Sequence, residues 1–300
     1  MKSNQVLKGA LIVAAGASSY GLLATFVKLA YKDGFNTAEV TISQLLIGLI
    51  VMSCLTWIRQ KQNPTSKISI IKGDITRLIL AGTSIGLTSL FYYLSVRYLN
   101  VSVAIVLLMQ STWISVLLEA ILNRTWPSLP KVVAVGIVLG GTLLATNVFN
   151  SNLVLDYRGF IFGMLAAISF TLTMYASNRV ANYLPAYKKS SWMLLGGFFI
   201  VLFFGLISYE ESFKFSIFYK YGLFLALFGT ILPPLAFNIG FPKTGLGIGS
   251  IVSALELPVS IFMAFLLLNE RINLWQIIGI LLILSAIVLM NLSQAKRTIK

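Results

Sequence analysis

The sequence predicts an all-α integral membrane protein: ten transmembrane helices arranged as two inverted five-helix repeats, with both termini in the cytoplasm. Three observations predict it. Hydrophobic residues make up 57% of the 300 and charged residues only 11%, whereas soluble domains carry about 25% charged residues. Apolar segments recur along the whole chain, and a bilayer core of ~30 Å needs about 20 residues to cross at ~1.5 Å per residue. The 23 Lys and Arg residues gather at the ends of these segments, as in proteins whose charges set topology, rather than in a patch suited to nucleic acid.

The apolar segments lie at roughly residues 7–29, 39–58, 77–96, 100–122, 131–148, 159–180, 190–208, 220–240, 246–268 and 273–292. The first exceeds a signal-peptide core and is followed by segments of its own kind, so it reads as a retained helix. A cytoplasmic amino terminus puts inside Lys2 and Lys8, the loop from Arg59 to Arg77, Arg124, Lys131, Arg179, Lys188, Lys189, Lys243, and the tail Lys296, Arg297 and Lys300. Most of the cations then obey the positive-inside rule, as expected of a multi-pass protein of the inner (cytoplasmic) membrane. The longest polar connection, residues 59–76, sets Arg59, Lys61, Lys67 and Lys72 against Asp74. That composition suits contact with anionic membrane lipids.

The chain also matches itself. Leu118–Arg124 (LEAILNR) superimposes on Ala264–Glu270 (AFLLLNE), with Asn123 on Asn269. The same register puts Gln110 on Glu256 and Arg97 on Lys243, while Gly9 and Ser19 fall on Gly159 and Ser169. The expected halves are residues 1–149 and 150–300. Five spans is an odd number, so the second half starts from the opposite face and runs inverted. Carriers of this architecture hold their sites near the bilayer midplane, between the repeats.

The stretch Leu257–Met290 has Pro258 opening a span, Asn269-Glu270-Arg271 closing it and Gly279 inside the next. It resembles the signature of the drug/metabolite transporter superfamily, specifically its EamA-type ten-helix members. The first half carries a degraded copy, with Thr112 in the place of Pro258 and Arg124 in that of Glu270. The resemblance implies export or exchange of a small metabolite through a central cavity lined by both halves. It says little about the substrate, because the superfamily handles amino acids, amines, nucleotide sugars and other metabolites.

Among single residues Glu256 leads, because a carboxylate near the middle of a span costs about 2.5–3.5 kcal/mol. Facing a cavity it would bind a substrate ammonium group or exchange a proton; the bland alternative is a paired structural glutamate. Pro258 removes a backbone donor nearby and frees carbonyls for a ligand. Gln110 offers an amide at similar depth, with Trp113 one turn on as an aromatic wall, or both merely pack. Pro233 and Pro234 fall inside the eighth span, ahead of Asn238, which suggests a kinked or broken helix acting as a gate or hinge. Tyr92, Tyr93, Tyr175 and Asn178 add polar tips to the third and sixth spans. Lys28, Arg97 and Lys243 lie near span ends, where long side chains snorkel; one facing a cavity would favour a carboxylate or phosphate. Glu119, near the end of its span with Arg124 five residues on, is expected to pair locally or to stay hydrated. The glycine pairs Gly82 with Gly86 and Gly136 with Gly140 are expected to allow close helix contact.

Other functions fare worse. The chain has no histidine and one cysteine, Cys54, so neither a disulfide nor a Cys/His metal site can form within it. No cofactor motif, nucleophile with its base, or paired intramembrane aspartates appear, so an enzyme is not expected. The preferred expectation is a secondary transporter exporting an amino acid or related amine, with proton coupling through Glu256. An exchanger of anionic or nucleotide-linked metabolites is the alternative. Oligomeric state is left open.

Overall fold

A backbone inside a bilayer has no water to bond, so each apolar run closes its hydrogen bonds on itself as a helix. The computed structural model describes residues 2–62, 71–99, 101–148, 156–207, 213–269 and 271–297. Lys67, Glu270 and Lys300, and the side chains of Lys2, Lys296 and Arg297, lie outside the described parts. The first half comprises α1 (Lys2–Lys32), α2 (Thr37–Gln62), α3 (Asp74–Tyr98), α4 (Val101–Leu108), α5 (Ser111–Asn123) and α6 (Leu129–Ala145). The second comprises α7 (Tyr157–Arg179), α8 (Ala186–Ile207), α9 (Leu223–Ala226), α10 (Leu232–Thr244), α11 (Leu246–Ser253), α12 (Glu256–Leu268) and α13 (Leu274–Arg297). Among the described residues, nine spans are long and apolar enough to cross a membrane, and α6, with 17 residues, is a shorter tenth.

Ten spans return the chain to the face it starts from, called here the terminal face; the opposite one is the distal face. Exposed Trp57 and Trp126 sit at the terminal ends of their spans, and exposed Tyr157, Tyr219 and Trp275 at the distal ends. Amphipathic rings at both levels are what the two membrane–water boundaries select.

The fourth and ninth spans, expected to be continuous, are each interrupted at mid-depth by one tight turn, in which the backbone stays right-handed and i→i+3 hydrogen bonds carry the helix across. A short α4 is followed by a turn at Met109–Gln110 and then by α5; α11 is followed by a turn at Ala254–Leu255 and then by α12. The two breaks match: α4 and α11 have 8 residues each, α5 and α12 have 13 each. Gln110 and Leu255, the residues before the second segments, have the same angles, φ −59° and ψ −21°. Arg124 (φ 50°, ψ 40°) and Asn269 (φ 54°, ψ 31°) end them in the left-handed region. Helix bounds therefore pair Ser111 with Glu256, one residue away from the register that the Asn123–Asn269 identity suggested. The first-half break forms without a proline, so Pro258, in the first turn of α12, accommodates the break and does not cause it.

The eighth span, Phe218–Thr244, is widened where a break was expected. π-helical turns Phe218–Gly222 and Leu227–Ile231 flank α9 before α10 begins at Leu232, ahead of Pro233 and Pro234. In the wide register the donor for Phe228 O would be residue 233, which as proline has no N–H. Ser19 Oγ of α1 donates to that carbonyl instead, at 3.0 Å.

Small residues set the closest helix contacts. Gly82 of α3 lies against the Met193 carbonyl and Gly86 against that of Gly197, as their spacing suggested. Gly136 and Gly140 do not follow that expectation: a Cβ there would meet nothing within 4 Å. Their neighbour Gly141 makes the contact, against the Gly279 carbonyl of α13, because its face of α6 turns inward.

Candidate functional site

The broken and widened helices surround a cavity of about 310 Å³. Its deep walls are Tyr20 of α1, Phe170 of α7 and Glu256 of α12. Its mouth residues Lys28, Tyr31, Val96, Thr146, Arg271 and Gln276 belong to the distal ends of their segments. The cavity therefore opens toward the distal face. Below it the rings close ranks: Tyr20 is edge-on to Phe170 (centroids 6.2 Å) and to Phe237 (5.7 Å), and Phe237 is edge-on to Phe241 (5.1 Å). Phe237 and Phe241 are 1% and 0% exposed. Behind them α1 and α10 pack through Gly9, Gly16 and Gly240, which bring the two helices close enough to seal the terminal side.

Glu256 lines this cavity as the first residue of α12. Among the described residues its carboxylate makes no hydrogen bond or ion pair, so it faces the cavity uncommitted. Tyr92 and Tyr93 also line the cavity, with rings 5.8 Å apart, and Tyr93 meets Tyr31 edge-on at 6.2 Å. Gln44 of α2 and Thr173 of α7 add polar wall.

The remaining sequence candidates lie elsewhere. Gln110 donates to Val106 O within its own span at 2.9 Å and accepts from Trp113 Nε1 at 2.9 Å, and neither side chain lines the cavity. Asn238 is buried and donates to Ser190 Oγ at 2.8 Å; Asn178 donates to Phe241 O at 2.7 Å; both sit below the aromatic floor. Tyr175 packs against the central apolar cluster. Pro258 is buried next to Glu256, and Pro233 and Pro234 are buried at the start of α10. Of the three span-end cations, Lys28 faces the cavity, whereas Arg97 and Lys243 are exposed. Glu119 pairs with Lys131 across the α5–α6 connection rather than with the expected Arg124.

Several wall residues escaped the sequence reading. Tyr20 and Gln44 are polar interruptions of apolar spans and were findable on that ground. Arg271 stood out only as part of a motif closing a span. Lys189, read as a boundary charge, is instead 1% exposed inside the bundle.

A ten-span helical bundle made of two repeats around a midplane cavity defines a multi-pass membrane transporter. The sequence profile of the EamA-like transporter family matches residues 7–147 and again residues 157–292. The chain belongs to that family, and with it to the drug/metabolite transporter superfamily: it is a membrane transporter of small molecules. No curated protein sequence matches it significantly. A solved crystal structure that is 13% identical superimposes with a TM-score of 0.78, covering 96% of this chain and 99% of the other. That likeness concerns the fold alone.

Proposed function

We propose that this transporter exports an amino acid or related amine across the cytoplasmic membrane by alternating access, with both termini in the cytoplasm. The observation that carries the reading is the uncommitted Glu256 carboxylate deep in a cavity walled by aromatic rings. An ammonium group pairs with the carboxylate and with the faces of Tyr20 and Tyr92. Lys28 and Arg271, nearer the mouth, suit the carboxylate of the same solute. The two halves, taken as residues 1–149 and 150–300, rearrange about this site so that it opens to one face at a time. Glu256 exchanges its bound proton for the solute's ammonium, which couples transport to the proton gradient.

The test is counterflow in proteoliposomes with labelled amino acids, amines and phosphorylated metabolites, comparing the unaltered protein with Glu256→Gln. Saturable exchange of an amine-bearing solute, with its half-saturation raised at least about tenfold by the substitution, supports the reading. A second reading, an exchanger of anionic or nucleotide-linked metabolites, draws on Lys28 and Arg271 in the same wall. Exchange of phosphorylated solutes alone, unaffected by Glu256→Gln, would establish it instead.

A further inference from the structure

Below the aromatic floor, on the terminal side, lies a group of polar side chains that the open cavity does not use. Lys189, in the first turn of α8, is 1% exposed. Its ammonium donates to Ser177 O and to Asn182 Oδ1, each at 2.9 Å. Among the described residues it meets no carboxylate, and two bonds leave one of its three donors unused. One residue on, Ser190 Oγ accepts from Asn238 Nδ2, while Asn238 Oδ1, in a residue 6% exposed, has no partner among the described residues. Asn178 donates to Phe241 O, on the helix that closes the floor. A buried cation without a counter-charge and a buried acceptor without a donor are both costly when permanent. They make sense where the burial is temporary.

The repeat says when it would end. The register that sets Gly9 and Ser19 on Gly159 and Ser169 also sets Tyr20 on Phe170 and Lys28 on Asn178. The register that sets Arg97 on Lys243 sets Tyr92 on Asn238. Tyr20, Lys28 and Tyr92 line the distal cavity. Asn178 and Asn238 thus occupy, in the second half, the positions from which the first half builds its cavity wall. Inverted halves open the two faces by equivalent movements, so these asparagines are the wall of the opposite opening.

We propose that α7, α8 and α10 form a second vestibule on the terminal face, in which Lys189 binds the carboxylate of a zwitterionic solute and Asn238 receives its ammonium. Donors from Lys189 and Ser190 match a carboxylate, and the unpartnered Asn238 oxygen matches an N–H donor. The inference deepens the alternating-access reading and rests on it.

Two measurements test it with a Cys54→Ala background, since Cys54 is exposed and would itself react with a maleimide. In membranes of known orientation, Asn238→Cys should react with an impermeant maleimide from the terminal side, while Ala166→Cys, in the fully buried core, should not. Labelling from neither side overturns the vestibule, even if amino-acid counterflow is intact. Labelling without amino-acid counterflow keeps the vestibule and removes the substrate reading. In the second measurement, Lys189→Met should raise the half-saturation for an amino acid on the terminal side about tenfold, as loss of a charge-assisted bond does. It should leave the matching decarboxylated amine, and uptake from the distal side, unchanged; Lys189→Arg should restore much of the loss. Equal losses for acid and amine, or on both faces, would assign Lys189 a purely structural role.

Discussion

Phe237 meets Tyr20 edge-on, ring centroids 5.7 Å apart with planes at 65°, so one contact between α10 and α1 divides the open cavity from the sealed half of the bundle. The same Phe237 touches Phe241, and Tyr20 touches Phe170, so four rings take part in the seal.

Truncating that ring should weaken the closed terminal side. Phe237→Ala removes a fully buried aromatic, a change that typically costs about 3–5 kcal/mol. The expected result is a lower Tm in detergent together with faster maleimide reaction of a cysteine at residue 238. A lower Tm with unchanged reactivity would mean that the ring supports the core and not the seal.

Close approach of α1 and α10 should be equally sensitive. A Cβ on Gly16 would lie 2.9 Å from Ala236 Cβ, and overpacking of this kind costs about 1–3 kcal/mol. Gly16→Leu should lower Tm and bias the protein away from the state closed at the terminal face. Gly136→Leu, which faces open space, serves as the control and should change neither.

Glu256→Gln should raise the half-saturation for an amine-bearing solute at least about tenfold, the loss of one charge-assisted bond. If Glu256 also carries the coupling proton, gradient-driven transport should fall more than exchange between equal pools. Unchanged gradient dependence in the mutant would remove the proton from the mechanism.

The helix ends make a stability prediction away from the site. Arg124 holds the left-handed conformation that its counterpart Asn269 adopts more readily. Arg124→Gly should stabilise the protein by ~1 kcal/mol, seen as a rise of roughly 2 °C in Tm. Pro258→Ala should leave the break at Ala254–Leu255 in place, since the first half forms the same break without proline.

Hydropathy alone revealed the spans, because a bilayer allows so few backbone solutions. The repeat was legible too, but shifted by one residue in the broken spans. An Asn123–Asn269 identity drew the match, while the backbone pairs Arg124 with Asn269, and apolar segments hold too little information to correct such a slip. Depth was readable for Glu256 and Gln110 alike; direction was not. Gln110 turns to hydrogen-bond partners in its own span while Glu256 faces the cavity, and that difference arises from the packing of ten helices. Lys189 looked like a topological charge because it follows Lys188 just past Pro185. Its burial depends on the Ser177 carbonyl and Asn182, contributed by the fold around it.

The matched interruptions at Met109–Gln110 and Ala254–Leu255 bear on how anything charged gets across. The energetic barrier for an ion peaks in the centre of the low-dielectric slab, the depth at which both turns fall. One carboxylate, Glu256, lowers that barrier for positive charge. The two turns share one backbone geometry, and a single side-chain difference, Ser111 against Glu256, gives the centre its charge.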